Sequence, residues 1–263
     1  NLPKTINHGI KLKNGKIAYA TESDGIIIAT ASDQNDNYKL DLPQSTRSIN
    51  HLFESSDGAL WALAREQITR IDFSAHVFAQ HNGLTGGQAT AIGVFDSHIV
   101  ASTDDGIFEL VGGTFNFLHQ LPKLRAWAIR TASDSAMAIA TTSGIWLFDG
   151  TTAKHVQGTF GTFTIEESIN SSFLSSNANS IVVADSKTYE SKTVVEEIPD
   201  IATSIVTVSE NEFWFGTTTK GIFRAAKDKD ITIIERLANT YGLPAGDYDA
   251  KVFRAGGLLI VAC

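Results

Sequence analysis

Residues 49–80, INHLFESSDGALWALAREQITRIDFSAHVFAQ, contain four short apolar stretches separated by turn residues. We predict strands at 49–54, 60–63, 68–73 and 77–80, and the Asp57-Gly58 dipeptide between the first two is typical of a tight hairpin. No window of the chain combines a helical period with capping residues, so we expect almost no helix. Four strands in roughly 40 residues predict one blade of a β-propeller.

The prolines indicate that this unit is repeated along the chain. A proline lacks the N–H group that a strand ladder needs, so it belongs between strands. Successive prolines are separated by one or two steps of roughly 40 residues, which is the length of a four-stranded repeat. All five follow a leucine or isoleucine, at Leu2-Pro3, Leu42-Pro43, Leu121-Pro122, Ile198-Pro199 and Leu243-Pro244.

A glycine turn repeats at the same interval as the prolines. In each copy a glycine precedes an isoleucine and a large apolar residue, and a threonine lies three or four residues before the glycine. Glycine supplies a positive φ angle at little steric cost, which predicts a tight turn at each copy. The four copies are Gly25-Ile26-Ile27, Gly106-Ile107-Phe108, Gly144-Ile145-Trp146 and Gly221-Ile222-Phe223.

These repeats predict a single all-β domain over residues 1–263, with units at 1–42, 43–82, 83–121, 122–157, 158–198, 199–243 and 244–263. The last unit has room for only two strands, so we expect a seven-bladed propeller whose final blade is incomplete in this chain. The chain starts with Asn1 and stops inside the apolar run 258–263. Natural termini are usually polar, so we expect the chain to be a segment of a longer protein.

The composition disfavours several classes of partner. The chain has 21 basic and 29 acidic residues and a net charge of −8, which would repel nucleic acid and anionic membrane surfaces. The single cysteine, Cys263, has no second cysteine for a disulfide or a metal site. No apolar stretch is long enough for a transmembrane helix, so we expect no membrane contact by this segment itself.

The order of these signals resembles the two-component regulator propeller family. The similarity lies in residues 49–61 (INHLFESSDGALW), in 212–223 (EFWFGTTTKGIF), and in the joints Asn82-Gly83-Leu84 and Tyr241-Gly242-Leu243-Pro244. It covers nearly the whole chain, although units four and five lack the tryptophan on the second strand. The resemblance implies the periplasmic sensing part of a bacterial membrane signalling protein, anchored by a transmembrane helix elsewhere in the full protein.

A candidate ligand site follows from the repeat. Ile6-Asn7-His8 and Ile49-Asn50-His51 lie at equivalent positions of two innermost strands, which line the central channel of a propeller. Projecting the repeat onto later units adds Trp127, Ser171, Thr203 and Asp249. Amides, imidazoles, an indole and a carboxylate at one channel mouth could bind a small polar molecule or a glycan. The predicted ligand-binding residues are Asn7, His8, Asn50, His51, Trp127 and Asp249.

Three other tryptophans, Trp61, Trp146 and Trp214, are expected to pack between blades. The histidines lack metal-binding spacing, and the chain has no catalytic or cofactor fingerprint, so we predict no metal site, no cofactor and no catalytic residues. The favoured function is a ligand-sensing domain. A propeller lyase or glycosidase and a protein-interaction scaffold remain as alternatives, and a homodimer is one assembly that the chain could form.

Overall fold

The computed structural model describes residues 5–30, 33–40, 47–64, 67–73, 77–80, 83–131, 136–168, 172–228, 231–255 and 258–263. Within these ranges the regular structure consists of strands, and no residue is helical. None of the described residues therefore belongs to a helix that could cross a membrane.

Six sheets, which we call blades 1 to 6, each contain four antiparallel strands paired in chain order. The strands of blades 1 to 3 are β1 (Ile6–Lys11), β2 (Lys16–Thr21), β3 (Ile26–Thr30), β4 (Asp33–Lys39), β5 (Ile49–Glu54), β6 (Leu60–Ala64), β7 (Ile68–Asp72), β8 (Val77–Gln80), β9 (Ala91–Phe95), β10 (His98–Thr103), β11 (Gly106–Val111) and β12 (Thr114–Phe117). Those of blades 4 to 6 are β13 (Ala126–Thr131), β14 (Met137–Thr141), β15 (Gly144–Phe148), β16 (Ala153–His155), β17 (Ile165–Glu167), β18 (Ser172–Asn177), β19 (Ser180–Asp185), β20 (Ser191–Val195), β21 (Ala202–Ser209), β22 (Glu212–Thr217), β23 (Ile222–Asp228) and β24 (Ile231–Arg236). A further sheet has two strands, β25 (Lys251–Ala255) and β26 (Leu258–Ala262).

The all-β fold class and the four-stranded blades agree with the prediction. The strands of blade 2 match the segments predicted from residues 49–80 to within one residue at each end. The blade count differs from the expected seven-bladed ring: the described residues contain six complete blades, and the last repeat contributes only the pair β25–β26. In this unit, which runs from 244 to 263, the residues before Lys251 form the connection from blade 6, and the two strands take up most of the rest.

The repeated prolines lie between strands, as predicted. Pro122, Pro199 and Pro244 precede the first strands β13, β21 and β25 respectively. Pro3 and Pro43 lie outside the described residues.

The repeated threonine has a structural role in the turn between the second and third strands. In blade 6 the Thr217 Oγ1 donates to the carbonyl of Gly221 (2.9 Å) and accepts from the backbone N–H of Lys220 (3.0 Å). Thr21 makes the equivalent pair of bonds in blade 1. Gly221 has a φ of 82°, in the region that favours glycine. The buried threonine hydroxyl and the positive φ of the glycine therefore stabilise this turn together.

The contacts divide the chain into two compact units. Unit 1 comprises Asn1–His119, Lys123–Arg125 and Phe253–Ile260, and unit 2 comprises Gln120–Pro122, Ala126–Val252 and Val261–Cys263. In unit 1, successive side chains of β6 pack against different neighbours. Leu60 and Ala62 join a cluster with residues of blade 1, whereas Trp61 and Leu63 join a cluster with residues of blade 3. The two-residue period of a strand thus places apolar side chains on both faces of the blade.

Unit 2 is built on the same principle. Phe173 on β18 lies in a cluster with Ile145 and Leu147 of blade 4. The next residue, Leu174, lies in a cluster with Phe215 and other apolar residues of blade 6. Burial on both faces explains why the second strands are nearly continuous apolar runs in the sequence.

Only one of the three tryptophans expected to pack between blades is fully buried. Trp61 is 5% exposed and packs within unit 1. Trp146 and Trp214 are half-buried. The Trp146 ring contacts His155 (5.2 Å between centroids) and its Nε1 donates to Ser143 Oγ (3.3 Å). Trp146 and Trp214 are thus only partly covered, and Trp214 differs in burial from Trp61 although the two share a repeat position.

Candidate functional site

The first strands of four blades contain a β-bulge at the same position. In blade 1 the pairing with β2 shifts between Ile6 and His8, and in blade 2 the pairing with β6 shifts between Ile49 and His51. Blades 4 and 6 have the same shift, between Ala126 and Ala128 and between Ala202 and Ser204. The bulged residues are Asn7, Asn50, Trp127 and Thr203.

These four residues are among the six that repeat spacing predicted to be equivalent. A bulge leaves one residue out of the ladder and turns its side chain, and bulges are enriched next to functional sites. Within each unit the first strands of neighbouring blades are in contact, β1 with β5 and β13 with β17. The bulges therefore present two amides within unit 1, and an indole and a hydroxyl within unit 2.

In unit 1 the predicted residues form a connected group. The Asn7 Nδ2 donates to the backbone carbonyl of Ile49 (2.9 Å), which ties the bulge of blade 1 to blade 2. The rings of His8 and His51 lie 3.6 Å apart between centroids, with 32° between their planes. The Phe253 ring meets His8 edge to face at 5.6 Å. Asn50 follows Ile49 on β5 and is half-buried.

In unit 2 the aromatic character is stronger. The ring of Trp127 lies 5.7 Å from that of Phe163, tilted by 48°. Both side chains are half-buried. Three residues further along β13, the Arg130 Nε lies 3.9 Å from the Glu166 carboxylate of the next blade. The two aromatic rings can stack on a flat ligand.

Sequence reasoning missed two positions equivalent to the bulges. Ile165 pairs with Ser175 as Ile129 pairs with Ile139, which makes Phe163 the counterpart of Trp127. In blade 3 the pairing of Ile92 with Ala101 makes Thr90 the counterpart by the same count. Counting back two residues from the buried isoleucine of each first strand would have found both.

Two projected positions need correction. Ser171 lies outside the described residues, and the blade 5 position that it was meant to fill belongs to Phe163. Asp249 is exposed and precedes β25. The buried residues Ala250 and Phe253 have the spacing of Ile49 and Leu52, so Lys251 is the counterpart of Asn50. Both errors arise because the spacing between prolines varies by a few residues from one repeat to the next. Strand pairing, in contrast, fixes the equivalent position to a single residue.

The described carboxyl groups with shifted pKa values lie in turns and ion pairs. Wherever a described carboxyl group has a shifted pKa, the shift is downward. For example, the Ser55 hydroxyl, the Ala59 N–H and Arg70 lower the pKa of Asp57 to about 2. A general acid needs a pKa raised toward neutrality. These ionised groups act instead as hydrogen-bond acceptors in turns and ion pairs.

The part of the chain that the structure describes contains no group of three or more histidine, cysteine, aspartate and glutamate side chains arranged to hold a metal ion.

With this geometry, the chain belongs to the β-propeller class, with blades of four antiparallel strands. It is similar to the extracellular domain of a proposed hybrid two-component system from B. thetaiotaomicron, with 15% identity and a TM-score of 0.77 over 99% of this chain and 39% of that one. It is also similar to virginiamycin B lyase from Staphylococcus aureus, with 15% identity and a TM-score of 0.75 over 100% of this chain and 92% of that one. The WD40 β-propeller domain of Doa1 has 14% identity and a TM-score of 0.76 over 99% of this chain and 90% of that one.

At these identities the likeness concerns the fold. The chain spans 38–39% of the length of the extracellular domains from B. thetaiotaomicron that it matches. No protein-family model and no curated protein matches the sequence.

Proposed function

We propose that this chain is the ligand-sensing β-propeller domain of a bacterial signalling receptor and lies on the periplasmic side of the membrane. The observation that carries the proposal is the repeated bulge, which gives Asn7, Asn50 and Trp127 one common strand position. A scaffold built only for packing has no need to repeat a ladder defect beside polar and aromatic side chains.

The ligand in this proposal is a small polar molecule or a glycan. Asparagine amides donate and accept hydrogen bonds, as sugar hydroxyls do, and an indole face stacks on a pyranose ring. His8 and His51 add polar ring nitrogens beside the amides in unit 1.

Two further observations support a sensor. The motifs around residues 49–61 and 212–223 resemble the two-component regulator propeller repeat. Extracellular domains of proposed hybrid two-component systems share the fold across 95–99% of this chain. Signalling itself, with the membrane anchor and the output domain, is part of the proposal and comes from these resemblances.

The experiment is a thermal-shift screen of defined plant, host and bacterial oligosaccharides, followed by calorimetric titration of each hit. Trp127→Ala or Asn50→Ala is expected to weaken binding about tenfold or more, which corresponds to about 1.4 kcal/mol, while the protein stays folded. Trp146→Ala is the matched control, since Trp146 is a half-buried tryptophan of the same unit on a third strand.

Three results would contradict the proposal. The first is a hit that Trp127→Ala and Asn50→Ala bind as tightly as wild type. The second is unfolding of the protein by Trp127→Ala. The third is chemical conversion of the hit during incubation with the protein, which would favour the lyase or glycosidase alternative.

A further inference from the structure

Blade 5 holds the aromatic counterpart of Trp127 differently from the other blades. In blades 1, 2, 4 and 6 the ladder between the first two strands continues past the bulge. In blade 5 the ladder stops at Ile165, which pairs with Ser175. The Ser176 hydroxyl then accepts hydrogen bonds from the N–H groups of Thr164 (3.3 Å) and Phe163 (3.1 Å). A side-chain oxygen, in place of a backbone carbonyl, therefore fixes the backbone of Phe163.

The segment that leads into Phe163 is anchored to both neighbouring blades. The N–H and Oγ1 of Thr162 donate to the Thr141 carbonyl (2.9 and 2.8 Å), and the Thr141 N–H donates to Thr162 Oγ1 (3.0 Å). The Phe160 N–H donates to the Asn177 side-chain carbonyl. Thr141 and Thr162 are both buried. Because these bonds order the backbone in advance, a ligand that contacts Phe163 does not have to order it on binding.

The aromatic rings of Trp127 and Phe163 are in contact and only partly covered. Their centroids lie 5.7 Å apart with 48° between the ring planes. Each side chain is half-buried, so part of each ring remains accessible. Aromatic rings gain free energy when they bury further area against another ring. The pair therefore offers an apolar contact to a ring-shaped ligand.

The equivalent position in blade 6 carries a hydroxyl. Thr203 is the bulged residue of β21, and β21 contacts β17 of blade 5. The Thr203 Oγ1 is buried and has no hydrogen-bond partner among the described residues. A buried hydroxyl without a partner costs free energy, which a polar group of a ligand can recover. Thr203 is therefore available to form one hydrogen bond with a ligand.

This set of side chains favours a planar ring over a sugar. A pyranose carries several hydroxyl groups, and each of them that becomes buried needs a hydrogen-bond partner. The three equivalent positions of unit 2 supply an indole, a phenyl ring and one hydroxyl, with no amide or carboxylate. A planar ring with a single hydrogen-bonding group matches that supply.

We propose that Trp127, Phe163 and Thr203 form a subsite for an aromatic or heteroaromatic ring that carries one hydrogen-bonding group. The two aromatic side chains contact the ring, and the Thr203 hydroxyl bonds its polar group. The role of such a ligand as a signal rests on the proposed sensing function. Binding of the ring itself is measured separately, so the two proposals can fail independently.

The test is a nitrogen–proton NMR titration of the full chain with phenol. The indole N–H signal of Trp127 is assigned by its loss in Trp127→Phe, and the signals of the other tryptophans serve as internal controls. Phenol is expected to shift the Trp127 signal saturably, with a dissociation constant on the order of 1 mM for so small a probe. Cyclohexanol has the same hydroxyl but no planar ring, and it should bind about fivefold or more weakly.

Phe163→Ala is expected to weaken phenol binding about tenfold, because it removes one of the two ring contacts. Phe160→Ala is the matched control, since Phe160 lies on the same connection and is 55% exposed. It should bind phenol as wild type does.

Thr203→Val tests the hydrogen bond at nearly constant shape. Fluorobenzene is the matching probe, because it has the shape of phenol without the hydroxyl. The ratio of the dissociation constants of phenol and fluorobenzene is expected to change about fivefold between wild type and Thr203→Val. This comparison carries the test if Phe163→Ala fails to fold.

The proposal is overturned if phenol leaves the Trp127 signal unchanged or if cyclohexanol binds as tightly as phenol. Equal effects of Phe163→Ala and Phe160→Ala, or an unchanged ratio in Thr203→Val, would also overturn it. An oligosaccharide that binds through Asn50, in a protein that binds no phenol at Trp127, would refute the subsite and leave the sensing function standing. Phenol binding at Trp127 together with a screen that yields no ligand would support the subsite and count against the sensing function.

Discussion

The imidazole rings of His8 and His51 are in close contact, with 3.6 Å between their centroids and 32° between their planes. His8 belongs to β1 and His51 to β5, so this contact joins the first strands of two neighbouring blades. The His8 Nδ1 also accepts a hydrogen bond from the backbone N–H of Leu52 (3.2 Å). An accepting Nδ1 carries no proton, so the hydrogen bond assigns the proton of neutral His8 to Nε2.

His8→Phe should destabilise the protein by about 1–3 kcal/mol. Phenylalanine keeps a ring in this contact but removes the acceptor of the Leu52 N–H. The measurement is urea unfolding followed by circular dichroism. His119→Phe is the control, because His119 is exposed, and it should change the unfolding free energy by less than about 0.5 kcal/mol. Equal effects of the two substitutions would mean that the Leu52 bond contributes nothing.

Trp61→Ala should cost more stability than Trp214→Ala. Trp61 is buried among residues of two blades, so its removal leaves a cavity that costs about 3–5 kcal/mol. Trp214 is half-buried, and water can fill part of the space that its ring leaves, so we expect about 1–2 kcal/mol. Both are measured by chemical unfolding at a protein concentration low enough to keep the chain monomeric. A larger cost for Trp214→Ala would contradict the assigned burial.

The ion pair of Glu212 and Arg224 should make stability fall at acid pH. The Arg224 guanidinium and the Trp214 N–H lower the pKa of Glu212 from 4.5 to about 2. The folded state therefore holds this carboxylate ionised where the unfolded state is protonated, and the stabilisation present above pH 4.5 is lost as the pH falls toward 2. The free energy of unfolding of wild type minus that of Glu212→Gln should shrink between pH 6 and pH 3. A difference that stays constant over this range would refute the coupling.

Gly216→Ala should be strongly destabilising, whereas Gly246→Ala should not. Neither glycine has a positive φ, so the comparison isolates the space available to a methyl group. A Cβ at Gly216 would overlap the carbonyl oxygen of Ala250 and the Ser204 hydroxyl, whereas a Cβ at Gly246 would meet nothing within 4 Å. We expect a cost of about 1–3 kcal/mol for Gly216→Ala, measured by thermal and urea unfolding. Similar stabilities for the two variants would show that Ala250 does not pack against β22.

The strands and their grouping into blades could be read from the sequence because their causes are local. The Asp57-Gly58 dipeptide favours a tight hairpin, and proline cannot donate a hydrogen bond to a strand ladder. A threonine followed by a glycine stabilises the turn between two strands. Each of these acts within a few residues. The equivalence of Asn7 and Asn50 was also accessible, because the sequences Ile6-Asn7-His8 and Ile49-Asn50-His51 repeat the same residue types.

The register of the strands and the burial of the tryptophan side chains could be determined only from the tertiary structure. Phe163, rather than Ser171, is the counterpart of Trp127, because the ladder between β17 and β18 sets the count and a shift of one residue reverses the side-chain direction. The difference between Trp61 and Trp214 has a similar origin. Both have the same repeat position, but burial depends on which residues of a distant part of the chain pack over the ring, and no local pattern encodes that.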